Sequence, residues 1–256
     1  MIHENMKVYA LSNLKGGSGK TTSTVGLAEA FARQEHNVLM VDLDPQATLS
    51  RWVASPSEAT TSLLDGTFSG EAIRRVELDA SGRIDVITSN RSLAKMEDRR
   101  ATKLATRLEA LWSAASGYDF ALLDPPPSVG ALVLATLMAS DGVLCPVEAG
   151  PGAVAGLEDT MQLIRRTGAA GVQGAFACRV DVRTKSDKQI PKLLVDELGR
   201  VADGGAAFDT FIREAVAVRE AQTAHELLGA YSPSMTSVQD YADLAREALT
   251  MTSSNP

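Results

Sequence analysis

Asn13-Leu14-Lys15-Gly16-Gly17-Ser18-Gly19-Lys20-Thr21-Thr22 is the stretch on which the fold turns. An apolar run, Lys7–Ser12, precedes it, and a helical pattern, Thr21–Gln34, follows, so the glycines join a strand to a helix. Gly16, Gly17 and Gly19 lack the Cβ atoms that would keep a multiply charged anion away from backbone N–H groups. The helix that opens at Thr21 offers the positive end of its dipole to the same anion. Lys20 adds a point charge suited to β- and γ-phosphates, and the Thr21 hydroxyl suits Mg²⁺. The expected phosphate-binding set is Lys15, Gly16, Gly17, Ser18, Gly19, Lys20, Thr21 and Thr22. An ordinary phosphate loop, G-x-x-x-x-G-K-[ST], would have glycine at position 14; Leu14 stands there, and an extra lysine, Lys15, stands at the loop's entrance.

Working outward, further apolar runs read as strands: Val38–Asp42, Ile84–Thr88, Phe120–Asp124, Gly142–Val147 and Gly174–Cys178. They alternate with helical patterns over Lys103–Ala115, Val129–Ala139, Gly156–Arg166, Lys188–Val201 and Ser237–Leu249. Near-continuous apolar strands separated by helices predict a mostly parallel, twisted sheet flanked by helices on both faces. The fold class is α/β, a P-loop NTPase, with residues 1–256 as one domain. Ala54–Ser62, rich in Ser, Thr and Pro, and the charged Ser89–Arg100 read as surface loops.

Two strands end in carboxylates. Val41-Asp42-Leu43-Asp44-Pro45-Gln46 places Asp42 and Asp44 two residues apart, on one side of an extended chain. Leu122-Leu123-Asp124 runs into Pro125-Pro126-Pro127-Ser128, where residues without an N–H must leave the sheet. Carboxyl ends of parallel strands are where such sheets bind ligands. Asp124 is the expected Mg²⁺ carboxylate, and the prolines after it form a segment able to respond to a γ-phosphate.

Composition narrows the field. With 256 residues the chain can bury a core without staples, and 45% hydrophobic with 22% charged residues is ordinary for a globular protein. Cys145 and Cys178 form no CxxC pair and read as packed thiols in a reducing cytosol. The polar start, Met1–Met6, does not read as a signal peptide, so none is expected, and no apolar run approaches the ~20 residues of a membrane span. A net charge of −7 means that any contact with DNA must come from a local basic patch. The basic residues Arg179, Arg183, Lys185, Lys188 and Lys192 gather close together, and Arg213 and Arg219 follow.

These motifs together resemble the ParA/MinD superfamily, and most closely the partition ATPases of the ParA type. K-G-G-S-G-K-T-T (Lys15–Thr22) resembles the family's deviant Walker A, V-D-L-D-P-Q (Val41–Gln46) its Walker A′, and L-L-D-P-P-P-S (Leu122–Ser128) its Walker B and switch II. The resemblance spans about Lys7 to Leu249 and is looser in the last third. It implies a slow ATPase using ATP and Mg²⁺, stimulated by DNA and by a partner. Lys15, Lys20, Asp44 and Asp42 are the implied catalytic set, with Lys15 reaching the phosphates of a partner subunit and Asp44 orienting the attacking water. Thr21, Asp42 and Asp124 are the implied Mg²⁺ and switch network. An ATP-dependent homodimer, binding to non-specific DNA and a ParB-type adaptor are implied as well. So is a cytoplasmic protein that sits on the nucleoid when ATP-bound and moves plasmid or chromosome cargo. Arg183, Lys185, Lys188 and Arg219 are the candidates for DNA contact. With about six residues before the first strand, the chain resembles the short form lacking an N-terminal helix-turn-helix. Adenine contacts are expected near Arg179–Asp181 and Ile212.

Other functions fit less well. A MinD-like regulator would end in a basic amphipathic helix, whereas Tyr241–Pro256 is acidic to neutral, so no membrane contact is expected. A nitrogenase-type iron protein needs cluster cysteines, and none lies between Asn13 and Leu144. A dethiobiotin-synthetase-like ligase would need an organic-substrate pocket that the sequence does not display. A ParA-like positioner of a protein cargo is the closest alternative, because its ATPase core would read the same way.

Overall fold

The computed structural model describes residues 6–67, 69–150, 152–167, 171–185, 189–201 and 206–253. The first strand, β1 (Lys7–Leu11), passes through the glycine loop into α1 (Lys20–Arg33), and β2 (Asn37–Asp42) follows. Two short helices come next, α2 (Thr48–Val53) and α3 (Ala59–Asp65), then β3 (Arg74–Val76) and β4 (Arg83–Ile87). The chain continues through α4 (Ala101–Ala114), β5 (Phe120–Asp124), α5 (Ala131–Met138), β6 (Gly142–Glu148), α6 (Ala153–Thr167) and β7 (Val172–Cys178). It closes with α7 (Ile190–Val201), β8 (Ala206–Ala207), α8 (Val216–Ala224), α9 (Leu228–Tyr231) and α10 (Thr236–Ser253).

The strands form one eight-stranded sheet in the order β3-β4-β2-β5-β1-β6-β7-β8. Every pairing is parallel except β3 with β4. The period of two along each strand divides the core in two. Leu11, Met40, Leu122, Leu144 and Phe176 pack against Leu27 and Phe31 of α1 and Leu244 of α10. Their neighbours point the other way: Val8, Leu39, Val41 and Leu123 meet Leu63, Leu104, Leu108 and Leu132 of α3, α4 and α5. Further along, Val143, Cys145 and Ala175 meet Leu157, Met161 and Leu194 of α6 and α7. Apolar side chains at successive positions are therefore required, which is why the strands read as unbroken runs.

The sequence placed the central strands and long helices within a few residues; its helix at Lys188–Val201 begins in part outside the described residues. It missed the short edge strands β3 and β8, and α2, α8 and α9. Both expected surface loops contain buried structure. Ala59, Thr60 and Thr61 at the end of the first lie inside α3, where the Thr60 hydroxyl donates to the Asp42 carbonyl at 2.9 Å. The second holds an eight-residue 3₁₀ helix, Arg91–Asp98, that buries Leu93 and Met96 one turn apart. Ser, Thr and charge dominated the reading, and the buried apolar anchors, Ala59 in the first segment and Leu93 and Met96 in the second, were too few to register as a pattern.

Candidate nucleotide site

The loop between β1 and α1 lies at the carboxyl edge of the sheet, flanked by the ends of β2, β5, β6 and β7. Gly17 and Gly19 take positive φ angles of 77° and 89°. Gly19 is constrained twice, since a Cβ there would also sit 3.0 Å from the Cys178 Sγ. That thiol donates to the Ser18 carbonyl at 2.9 Å and holds the floor of the loop against β7. At the entrance, Asn13 donates to the Pro146 carbonyl at 2.9 Å and accepts from the Lys15 amide at 2.9 Å. The Leu14 amide donates to the Thr160 hydroxyl of α6 at 3.1 Å. Residue 14 thus packs against a helix, and the glycine of an ordinary phosphate loop is not needed there.

The two lysines diverge. Lys20 is buried, and its ammonium donates to the Asn13 carbonyl at 3.1 Å, folded over the loop it closes. Burial lowers its pKa, against the opposing pull of Asp124 and Asp44. Lys15 is 38% exposed and pairs with Glu148 at 3.1 Å, at the end of β6. Glu148 also holds Arg179, which reaches Glu214 at 3.4 Å. A charged residue closing an apolar strand was the available signal for Glu148, and the sequence reading passed over it.

The three aspartates differ. Asp124 is buried, and the Thr21 hydroxyl donates to its Oδ2 at 2.7 Å. Its Oδ1 is buried without a hydrogen-bond partner. Burial, and then the charge of Asp42, raise its pKa to about 8. Thr21 and an orphaned carboxylate oxygen fit a hard divalent cation that keeps water and phosphate as its other ligands. No cluster of three or more His, Cys, Asp or Glu able to hold a metal occurs among the described residues. Asp42 stands beside Asp124 in the sheet, but its oxygens are taken. Oδ2 accepts from the Ser50 amide at 2.8 Å and the Ser50 hydroxyl at 2.6 Å, and Oδ1 accepts from the Asp44 amide at 3.0 Å. Burial raises its pKa to about 6, opposed by those Ser50 bonds. Asp44 lies beyond the end of β2, so strand alternation does not govern it; it is half-buried, caps the Gln46 amide at 2.8 Å and lines the cavity.

That cavity encloses about 400 Å³. Gly17 to Thr22, Asp44, Pro125 and Pro127 form its phosphate end; Arg179, Ile212 to Ala215, Val218, Arg219 and Gln222 form the other. Both segments expected to meet adenine are represented. Arg219, grouped by sequence with the basic residues, is exposed and also lines this cavity. Arg183 is exposed and forks onto Asp181 at 2.8 and 2.7 Å, and Arg213 onto Asp240 at 3.0 Å. Lys185 is exposed, and Lys188 lies outside the described residues.

Residues 6–171 match the family described as AAA domain. The chain is 31% identical to the chromosome-partitioning ATPase Soj of Thermus thermophilus over 97% of this chain and 98% of that one. The chain belongs to the ParA/MinD superfamily of ATPases. The chromosome partitioning protein ParA of Caulobacter vibrioides is 30% identical, over 95% of this chain and 94% of that one. Among solved structures, the septum site-determining protein MinD from Pyrococcus horikoshii, complexed with Mg-ADP, shares the fold at a TM-score of 0.78. It is 21% identical, with 98% of this chain and 100% of that one covered. In this superfamily member, no helix among the described residues is long and apolar enough to cross a membrane.

Proposed function

We propose that this protein is a DNA-partition ATPase in which Mg-ATP binding assembles a sandwich dimer on non-specific DNA. A ParB-type adaptor then triggers hydrolysis and release, moving plasmid or chromosome cargo. The loop amides and Lys20 bind the phosphates, and Thr21 and Asp124 hold Mg²⁺, which would neutralise charge on the phosphates. Asp42, tied to Ser50 and to the Asp44 amide, sets the loop from which Asp44 orients the attacking water. The observation that carries the dimer is the direction of Lys15. Its ammonium sits on Glu148 and is absent from the lining of its own cavity, so a second subunit's phosphates are the target it can serve. Relatives named as partition proteins support the DNA cargo. Arg183, Lys185 and Arg219 are the exposed cations assigned to DNA, and Arg219 also lines the nucleotide cavity.

Non-specific DNA binding is electrostatic, and its affinity falls with salt in proportion to the number of phosphate contacts. The test is a salt titration of DNA binding with ATP and with ADP, for wild type and Arg183→Ala. Binding should be strong only with ATP. Loss of one contact per subunit should lower the log–log slope by about two in the dimer. Equal binding with both nucleotides would break the proposal.

A further inference from the structure

Two loops carry the chemistry proposed above, one after β2 bearing Asp44 and one after β5 running from Pro125 to Gly130. A single segment, residues 89–98, touches both. At its start Ser89 is fully buried; its amide donates to the Ser50 hydroxyl at 2.7 Å and its hydroxyl to the Asp44 carbonyl at 3.0 Å. Ser50 is the same residue that binds Asp42. At its far end the Glu97 carboxylate accepts from the Ala131 amide at 2.6 Å, at the first residue of α5. Gly130, the N-cap of α5, has no side chain to cap the helix, and no acidic residue lies in its first turn. Glu97 supplies that cap from 34 positions away. The fit is close, because a Cβ on Gly130 would lie 2.2 Å from the Glu97 carboxylate.

Between these ends runs the 3₁₀ helix Arg91–Asp98, begun by the Asn90 side chain accepting from the Ser92 amide at 2.9 Å. Eight residues is long for this helix type, which rarely exceeds three or four. Leu93 and Met96 anchor it in the core beneath α3 and α4. The segment is therefore a short strut with fixed ends.

We infer that residues 89–98 clamp the two loops at a working separation, and that Glu97 and Ser89 are positioning residues for hydrolysis. Neither touches the nucleotide cavity. Glu97 fixes the helix end at which the Pro125–Gly130 segment terminates, and Ser89 fixes the backbone of Asp44. Prolines at 125, 126 and 127 give the switch segment no N–H of its own over that span, so its geometry depends on the pinned end. Release of Glu97 should leave the phosphate loop, and hence ATP binding, intact. The water oriented by Asp44 would then no longer meet a fixed switch segment.

This inference rests on the reading that Asp44 orients the attacking water, so the experiment carries Asp44→Ala alongside. Phosphate release gives kcat, and calorimetry gives ATP affinity. Glu97→Ala should lose about tenfold or more in kcat, with ATP affinity within about twofold, the pattern of lost transition-state geometry. Glu97→Gln retains an acceptor oxygen and should recover most of the rate. Gly130→Ala should evict the carboxylate sterically and reproduce Glu97→Ala without altering Glu97. The double variant should be no worse than either single one, since both remove the same contact. If Asp44→Ala is inactive while Glu97→Ala and Gly130→Ala match wild type, the clamp is wrong. The same holds if kcat and ATP affinity fall together and Gln restores neither. If Asp44→Ala hydrolyses normally, the water-orienting reading fails first and the clamp falls with it.

Discussion

The phosphate loop has two limbs that carry the same kind of residue to opposite ends. The inner limb, Ser18 to Thr22, buries Ser18 and Lys20, curls over the loop's own backbone and aims Lys20 and Thr21 into the cavity. The outer limb, Asn13 to Gly17, is tied to β6 and α6 and turns Lys15 out to Glu148. On the proposed reading, two lysines five residues apart serve different nucleotides. What separates them is anchorage: one is locked by its own loop, the other by neighbouring elements that would face a second subunit.

The largest expected effect lies on the inner limb. Lys20→Ala should weaken Mg-ATP binding by at least about tenfold, since one charge-assisted contact contributes ~1.5–3 kcal/mol. Calorimetry on the monomer reads this directly, and unchanged affinity would remove the distinction between the limbs. Asp44→Ala comes next. Orienting water is a task of the transition state, so kcat should fall about a hundredfold with affinity preserved. Phosphate release measures it; normal turnover would move the role to another residue. The smallest effect sharpens the comparison most. Lys15→Gln should leave ATP affinity of the monomer within about twofold, because its contact is made elsewhere, while ATP-driven dimerisation, read by sedimentation, is weakened and hydrolysis falls. A wild type that stays monomeric with ATP at high concentration would sink the outer limb's assignment.

What could be read from the sequence follows the same division. The inner limb was legible because its chemistry is contiguous: Gly19, Lys20 and Thr21 are fixed by the geometry of phosphate itself. Asp42, Asp44 and Asp124 were legible as residues, because apolar strands ending in carboxylates mark the binding edge of a parallel sheet. Their division of labour was not, since it depends on Ser50 occupying Asp42 and on an orphaned oxygen of Asp124. Ser89 and Glu97 escaped for a similar reason: in a charged stretch without period, nothing local marks a carboxylate that caps a helix 34 residues later. The place of Arg219 on the cavity wall was not legible, because proximity in sequence among basic residues says nothing of which side of α8 meets a cavity. The edge strands β3 and β8 are too short, at three and two residues, to form a hydropathy pattern.

The central claim is that each active site borrows Lys15 from a partner subunit. Mixing two inactive variants tests it. Lys15→Gln keeps Asp44 but cannot serve its partner; Asp44→Ala supplies Lys15 but cannot orient water in its own site. With ATP and at protein concentrations high enough to drive even the weakened variant into dimers, equal amounts give half the dimers mixed, each with one complete site, so activity should return to about a quarter of wild type. If Lys15 works within its own subunit, every site in the mixture lacks one group, and a mixture as inactive as either variant alone would contradict the account.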